Sequence, residues 1–167
     1  LDTTNAFTNH KFLKLEETSG VFTNTLVWGA EPTTTVTQIV SDGNAGAANL
    51  TSSGTYVMYS WAEIPGYSSF GRYKGNGNSV GSYMHLGFRP AFLILKRIDD
   101  SKSWILFDNK RNTSNLVDKS LYPNKTDVEN NFSNLEVDFL SYGFKLRNSV
   151  NTINASGGTF IYMAFAE

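Results

Sequence analysis

The apolar and aromatic residues of this chain fall in short runs, and Gly, Asn, Ser or Asp residues separate one run from the next. Thr, Tyr, Phe and Val within the runs suit a pleated, half-buried surface, whereas Gly and Asn at the breaks suit tight turns. The long crossover helices that a parallel sheet needs have no counterpart in the pattern. The sequence therefore predicts an all-β protein, an antiparallel β-sandwich with a jelly-roll-like arrangement.

The predicted strands follow one another at short intervals. They cover residues 11–15, 21–28, 33–40, 55–62, 69–74, 82–88, 91–98, 103–107, 135–146 and 159–166. The run 91–98 is the most apolar and follows Pro90, which suits a strand start, so burial on both faces is expected. The segment 135–146 is either one bent strand or two short strands broken near Tyr142. Residues 126–132 have weak helical character, with a loop as the alternative.

Charge and composition exclude several classes of partner. The formal net charge is -1, charged residues make up 17% of the chain, and Lys and Arg are scattered rather than clustered. No electrostatic attraction to nucleic acid is expected. No apolar run approaches the ~20 residues of a membrane helix, so membrane insertion is not expected. The chain contains no cysteine, which excludes disulfides and thiol chemistry.

One segment of the chain occurs twice. The sequence GTYVMYSWAE at 54–63 returns as GTFIYMAFAE at 158–167. Similar upstream segments and Asn-rich linkers accompany both copies, which indicates a tandem β unit of roughly a hundred residues. We therefore expect residues 1–63 to be the C-terminal half of a preceding β unit and residues 64–167 to be a complete sandwich unit. The alternative is one domain with two similar strands.

Several blocks of the sequence resemble, in order and spacing, the tandem repeats of tail-fibre-like proteins of marine tailed bacteriophages. The resemblance covers essentially residues 22–167. Its blocks are AEIPGYSSFGRYKGNG at 62–77, GFRPAFLILKR at 87–97, WILFDNKR at 104–111, LYPN at 121–124, DFLSYGFKLR at 138–147 and IYMAFAE at 161–167.

The resemblance implies a location in the virion, on the surface of the extracellular particle, and carries over no catalytic or ligand residue. The function expected is that of a structural and adhesion module of a tail fibre or tail tip, presenting a face to a host-surface molecule or glycan. Expected partners are further copies of the chain, with a trimer by analogy, and other virion proteins. The alternatives are a capsid decoration or head-fibre protein, a polysaccharide depolymerase and a secreted lectin-like domain.

Residues that would carry catalysis are sparse, and no enzymatic activity, cofactor or metal is expected. The two histidines, His10 and His85, share no helix, and no serine lies in a nucleophile-elbow pattern. A glycosidase would need two facing carboxylates, for which the candidates are Glu63, Asp108, Glu136 and Asp138. Exposed strand charges have the spacing of Glu136 and Asp138 by default. Glu63 ends a strand, as Glu167 does, and is expected to pair with Arg72 or Arg89.

Polar turns and aromatic residues supply the remaining candidates. The turns at 42–44 and 99–100 offer oxygens to calcium but fall short of an EF-hand ligand set. The Gly-rich stretch 71–77 lacks the end of a phosphate loop and is predicted to be a hairpin. Tyr73, Asn76 and Tyr83 flank this exposed turn, and they are the predicted sugar contacts. The alternative for each ring is a place in the core, because sandwiches bury large aromatic residues.

Overall fold

The computed structural model describes residues 11–24, 55–129 and 134–167. Their contacts form two compact units. The larger unit contains residues 14–20 together with the described residues from 62 to 167, and the smaller contains 11–13, 21–24 and 55–61. Within the described ranges, no helix has the length and apolar character that crossing a membrane requires.

Almost all of the regular structure is β-strand, which confirms the all-β fold class. The strands are β1 (Lys11–Phe12), β2 (Phe22–Thr23), β3 (Ser68–Lys74), β4 (Tyr83–His85), β5 (Phe92–Arg97), β6 (Ile105–Asp108), β7 (Val137–Leu140), β8 (Gly143–Leu146) and β9 (Thr159–Phe165). A single helical turn, α1 (Asn151–Asn154), precedes β9. In the smaller unit, β1 and β2 pair antiparallel and stack Phe12 on Phe22, with ring centroids 5.4 Å apart.

Two antiparallel sheets form the larger unit. One sheet has the order β3-β9-β5-β6 and the other the order β4-β8-β7. The last strand, β9, lies in the middle of the first sheet, where it pairs along its length with β3 on one side and with β5 on the other. Because β4 has only β8 as a neighbour, it forms an edge of the second sheet.

The core lies between the two sheets and follows the two-residue period of the strands. Ring contacts join the sheets: Tyr73 and Tyr162 on the first sheet both meet Phe144 on the second, at centroid distances of 6.3 and 5.6 Å. The buried apolar side chains of this core are Tyr73, Met84, Phe88, Leu93, Leu95, Ile105, Phe107, Val117, Leu135, Val137, Phe139, Phe144, Leu146, Ile153, Ala155, Phe160 and Ala164.

A buried lysine links residues 14–20 to the rest of the larger unit by hydrogen bonds. Lys96 is fully buried, and its Nζ donates to the carbonyl oxygens of Thr18 at 2.9 Å, Arg97 at 2.9 Å and Lys102 at 2.8 Å. Burial lowers the pKa of Lys96 to about 8, while the charge of Asp100 opposes this shift. At neutral pH the ammonium form therefore prevails, and each of its three protons has an acceptor.

Most strand predictions within the described residues are confirmed. The segment 135–146 is two strands, and Leu93, Ile94, Leu95 and Lys96 of β5 are buried, as expected for burial on both faces. Two expectations are wrong: residues 55–62 form no strand, and the stretch 71–77 forms no hairpin, because β3 and β4 lie in different sheets. For residues 126–129 the loop alternative is confirmed. The helical turn α1 was not expected. The predicted strand 33–40, most of the segment 21–28 and the turn 42–44 lie outside the described residues.

Candidate ligand-binding surface

Tyr73, the first predicted sugar contact, lies in the core. Its ring stacks on Phe160 with centroids 4.9 Å apart, and its hydroxyl donates to the carbonyl of Ile153 at 2.8 Å. Only 8% of the residue is exposed, and burial raises the pKa of its hydroxyl well above the ordinary value. Tyr73 thus presents no free ring face to a ligand in this structure.

Asn76 is exposed but holds a turn together. Its Oδ1 accepts from the backbone N–H of Asn78 at 3.0 Å and from Nδ2 of Asn154 at 2.9 Å, and its Nδ2 donates to the carbonyl of Val80 at 2.9 Å. The following Gly77 has φ +64°, in the left-handed region that favours glycine. The side chain of Asn154, fully buried, ties this turn to α1.

Tyr83, the third predicted contact, is the centre of an exposed group of rings. Tyr83 and His85 project from the edge strand β4, and Tyr142 lies in the turn that joins β7 to β8. The His85 ring lies 6.4 Å from the Tyr83 ring and 6.3 Å from the Tyr142 ring, measured between centroids. Tyr83 is 47% and Tyr142 63% exposed. We name these three residues the aromatic patch.

Local structure fixes the position of the aromatic patch. On β4 the side chain of Met84 points into the core, so its neighbours Tyr83 and His85 share the outer face. The carbonyl of Tyr142 accepts from the backbone N–H groups of Leu86 at 2.8 Å and of Gly87 at 3.2 Å, which binds the β7–β8 turn to the end of β4.

Glycine at position 143 allows the two strands to approach closely below the rings. A Cβ added there would lie 2.0 Å from the carbonyl oxygen of Met84 and 3.1 Å from the hydroxyl of Tyr83. Gly143 is the direct neighbour of His85 across the ladder. Any larger residue would therefore push β4 away from β8 and displace the Tyr83 ring.

Charged residues adjoin the aromatic patch on the same sheet face. Lys145 of β8 lies directly across from Tyr83 on one side and from Asp138 of β7 on the other. The Asp138 carboxylate is paired with the guanidinium of Arg147, with Nε and Oδ2 3.4 Å apart. The surface thus combines exposed rings with hydrogen-bonding and charged groups, which is the combination that a polar, partly apolar ligand needs.

Three of the four carboxylates considered for glycosidase chemistry, those of Glu63, Asp108 and Asp138, have structural partners. Asp108 accepts from the backbone N–H groups of Lys110 and Arg111 and pairs with Arg111 Nε at 2.8 Å. Glu63 accepts from the hydroxyl of Ser69 at 3.0 Å, while Arg89, one of its two expected partners, donates to the carbonyl of Phe139.

Glu167, at the end of the second copy of the repeated segment, instead pairs with Lys110. The two glutamates therefore differ in these contacts.

The carboxylates considered for calcium have cationic partners. Arg97 Nε lies 2.8 Å from Asp99, and Arg97 Nη1 and Lys102 Nζ lie 3.1 and 3.5 Å from Asp100. In the part of the chain that the structure describes, no three His, Cys, Asp or Glu side chains converge in a way that could hold a metal ion.

Sequence reasoning found one member of the aromatic patch and missed the other two. His85 falls within the predicted strand 82–88 and lies on the exposed face of β4, but the sequence gives no sign of its ring contacts. Tyr142 was noted only as a break between strands. Its place in a tight turn beside Gly143 is the one local signal for exposure, but its closeness to β4 depends on sheet order, which is not local in sequence.

Comparison with known proteins gives a family but no described activity. The chain belongs to the family described as a domain of unknown function (DUF7483), whose model matches residues 2–167. No curated protein and no solved structure matches the chain.

Proposed function

We propose that this DUF7483 chain is a structural and adhesion module of a bacteriophage appendage, a tail fibre or tail tip, and that its aromatic patch contacts a glycan on the host surface. The observation that carries the binding part is the exposure of Tyr83, His85 and Tyr142 together on one sheet face. The virion part rests on the sequence blocks that resemble phage tail-fibre repeats.

A sugar fits such a surface for physical reasons. One face of a pyranose ring carries C–H groups that pack on an aromatic ring, while its hydroxyls need hydrogen-bond partners. Tyr83 and Tyr142 offer ring faces and hydroxyls, and His85 offers a ring nitrogen 3.5 Å from the Tyr83 hydroxyl. A surface patch of three exposed rings favours weak binding at each copy.

Weak single sites are effective when many copies act together. A symmetric assembly of the chain, for which we propose a trimer, raises avidity through effective concentration without any additional contact. The module would thus serve as a spacer and an adhesion surface on the outside of the particle, joined to other virion proteins. We propose binding rather than catalysis, and the structural partners of Asp108 and Asp138 support that choice.

A glycan array tests this proposal with the intact chain, biotinylated and displayed on streptavidin so that weak sites act together. Selective binding to surface glycans of bacteria is expected. The double substitution Tyr83→Ala, Tyr142→Ala should lower the affinity at least about tenfold, because it removes the two ring faces. Tyr59→Ala is a matched control, since Tyr59 is 75% exposed and lies in the smaller unit. Binding that survives the double substitution would show that the aromatic patch is not the site.

A further inference from the structure

We propose that the glycan at the aromatic patch is acidic, carrying a carboxylate that pairs with Lys145. This inference deepens the proposed function and rests on it. The observation behind it is Lys145, a partly exposed residue beside the exposed rings whose ammonium group has no ionic partner among the described residues.

The sheet register places the ammonium group next to the rings. Tyr83 and Lys145 are directly paired across β4 and β8, so their side chains leave the same face. The Cβ atoms of such pairs lie about 4.5–5.5 Å apart. At this spacing the Tyr83 ring and Lys145 Nζ can contact the same sugar residue. A uronic acid residue packed on Tyr83 would therefore bring its carboxylate to Lys145.

The neighbouring acid does not occupy Lys145. Asp138 lies across from Lys145 on the other side, but its carboxylate is paired with Arg147 instead. Across the described residues, no carboxylate oxygen lies within 4.0 Å of Lys145 Nζ, whereas most other lysines of the larger unit have such a partner or a hydrogen bond. An approaching anion would thus supply the missing partner without displacing an existing one.

We expect the protein to bind the acidic sugar only modestly more tightly than the neutral one. An exposed ion pair between Lys and a carboxylate is weak because water screens it, so its loss should lower the affinity roughly two- to fivefold. The same pair is sensitive to salt, and its contribution should fall as ionic strength rises. The rings supply the larger, salt-independent part of the affinity.

The experiment compares acidic sugars with their neutral counterparts on the intact chain. The probes are α- and β-linked uronate trisaccharides and the same trisaccharides after reduction of each carboxylate to a hydroxymethyl group, measured by titration calorimetry at low and high salt. The wild type should bind one uronate trisaccharide roughly two- to fivefold more tightly than its reduced form, with the difference shrinking at high salt.

Substitutions distinguish the preference for an acidic sugar from the presence of a glycan site at the aromatic patch. Lys145→Gln should abolish the preference for the acid, Lys145→Arg should keep it, and Lys125→Gln is the control, because Lys125 pairs with Asp127 outside the patch. Equal affinity for acidic and reduced sugars, with both lost in the Tyr83, Tyr142 double variant, would overturn the acidic preference and leave the glycan site standing. Absence of binding to every trisaccharide would overturn the acidic preference, whereas the glycan array decides separately whether the aromatic patch binds glycan at all.

Discussion

At the residue scale, tyrosines with similar sequence settings have different roles. Tyr73 and Tyr83 flank the same turn, and sequence alone treats them alike. The structure buries Tyr73 against Phe160 and exposes Tyr83, because the two lie on opposite sides of their strands relative to the core. Which side faces inward is set by the opposite sheet. Pairing of β3 with β9 and of β4 with β8, both far along the chain, places the two strands in two facing sheets.

Lys96 is the residue whose loss should disturb the larger unit most specifically. Replacing it with methionine keeps the length of the side chain but leaves three partly buried carbonyl acceptors without this donor. We expect Lys96→Met to lower the free energy of unfolding by about 2 kcal/mol and to speed amide exchange in residues 14–20. Chemical denaturation and hydrogen exchange measure these effects.

An exposed lysine provides the comparison for Lys96. Lys110 is 75% exposed, so Lys110→Met should leave both the unfolding free energy and the exchange of residues 14–20 nearly unchanged. Equal effects from the two substitutions would contradict the anchoring role of Lys96.

Trp104 gives a second test of the contact between residues 14–20 and the rest of the larger unit. Its indole Nε1 donates to the carbonyl of Lys14 at 2.9 Å, and the side chain is half-buried. Trp104→Ala should lower the free energy of unfolding by about 2 kcal/mol, below the ~3–5 kcal/mol typical of a fully buried tryptophan, because part of the ring remains in water. An unchanged melting temperature would mean that this ring contributes no packing energy.

At the scale of elements, the sequence correctly predicts most of the strands that are paired in the described part of the chain. The period and turn signals locate β3 to β9 to within a few residues. The same signals also predict a strand at 55–62, and the structure has none there. Most positions of this segment share the aromatic or apolar character of β9, so its local propensity for strand is similar. A strand also needs neighbours, and those of β9 are β3 and β5.

The repeat hypothesis makes a prediction about these two elements. If 55–62 is a counterpart of β9, a chain in which GTYVMYSWAE replaces residues 158–167 should still fold into the same sandwich. It should be less stable, because the fully buried Phe160 and Ala164 become Tyr and Ser, and each change introduces a hydroxyl into the core at a cost of about 1–3 kcal/mol. Amide NMR spectra show whether the chimera keeps the wild-type fold, and thermal unfolding compares the stability of the two proteins.

A scrambled version of the replacement is the control for this chimera. It keeps the composition of the ten positions but destroys their alternation, so it should not fold. Equal loss of the fold in both chimeras would count against the repeat.

At the scale of the whole molecule, the all-β sandwich could be predicted from the sequence, but the order of its strands could not. β9 inserts between strands that precede it by more than sixty residues, and no local pattern encodes that pairing. The aromatic patch is a consequence of this order, since β4 and the β7–β8 turn meet only through the second sheet. Function, too, depends on contacts that are not local in sequence.

The proposed assembly predicts a definite mass in solution. Light scattering behind size exclusion should give three times the mass of the 18.5 kDa chain, because avidity requires several patches in one particle. A well-folded monomer across the accessible concentration range would contradict the trimer and favour a lectin-like module.

The most direct test of the central claim is to map glycan binding on the intact chain by NMR. A uniformly labelled sample is titrated with the sugar that binds best, and the amide shifts are followed residue by residue. The account predicts shifts concentrated at residues 83–86 and 141–145, with residues 68–74 of the opposite sheet unaffected. Saturable shifts centred elsewhere, or none with any of the sugars, would contradict it.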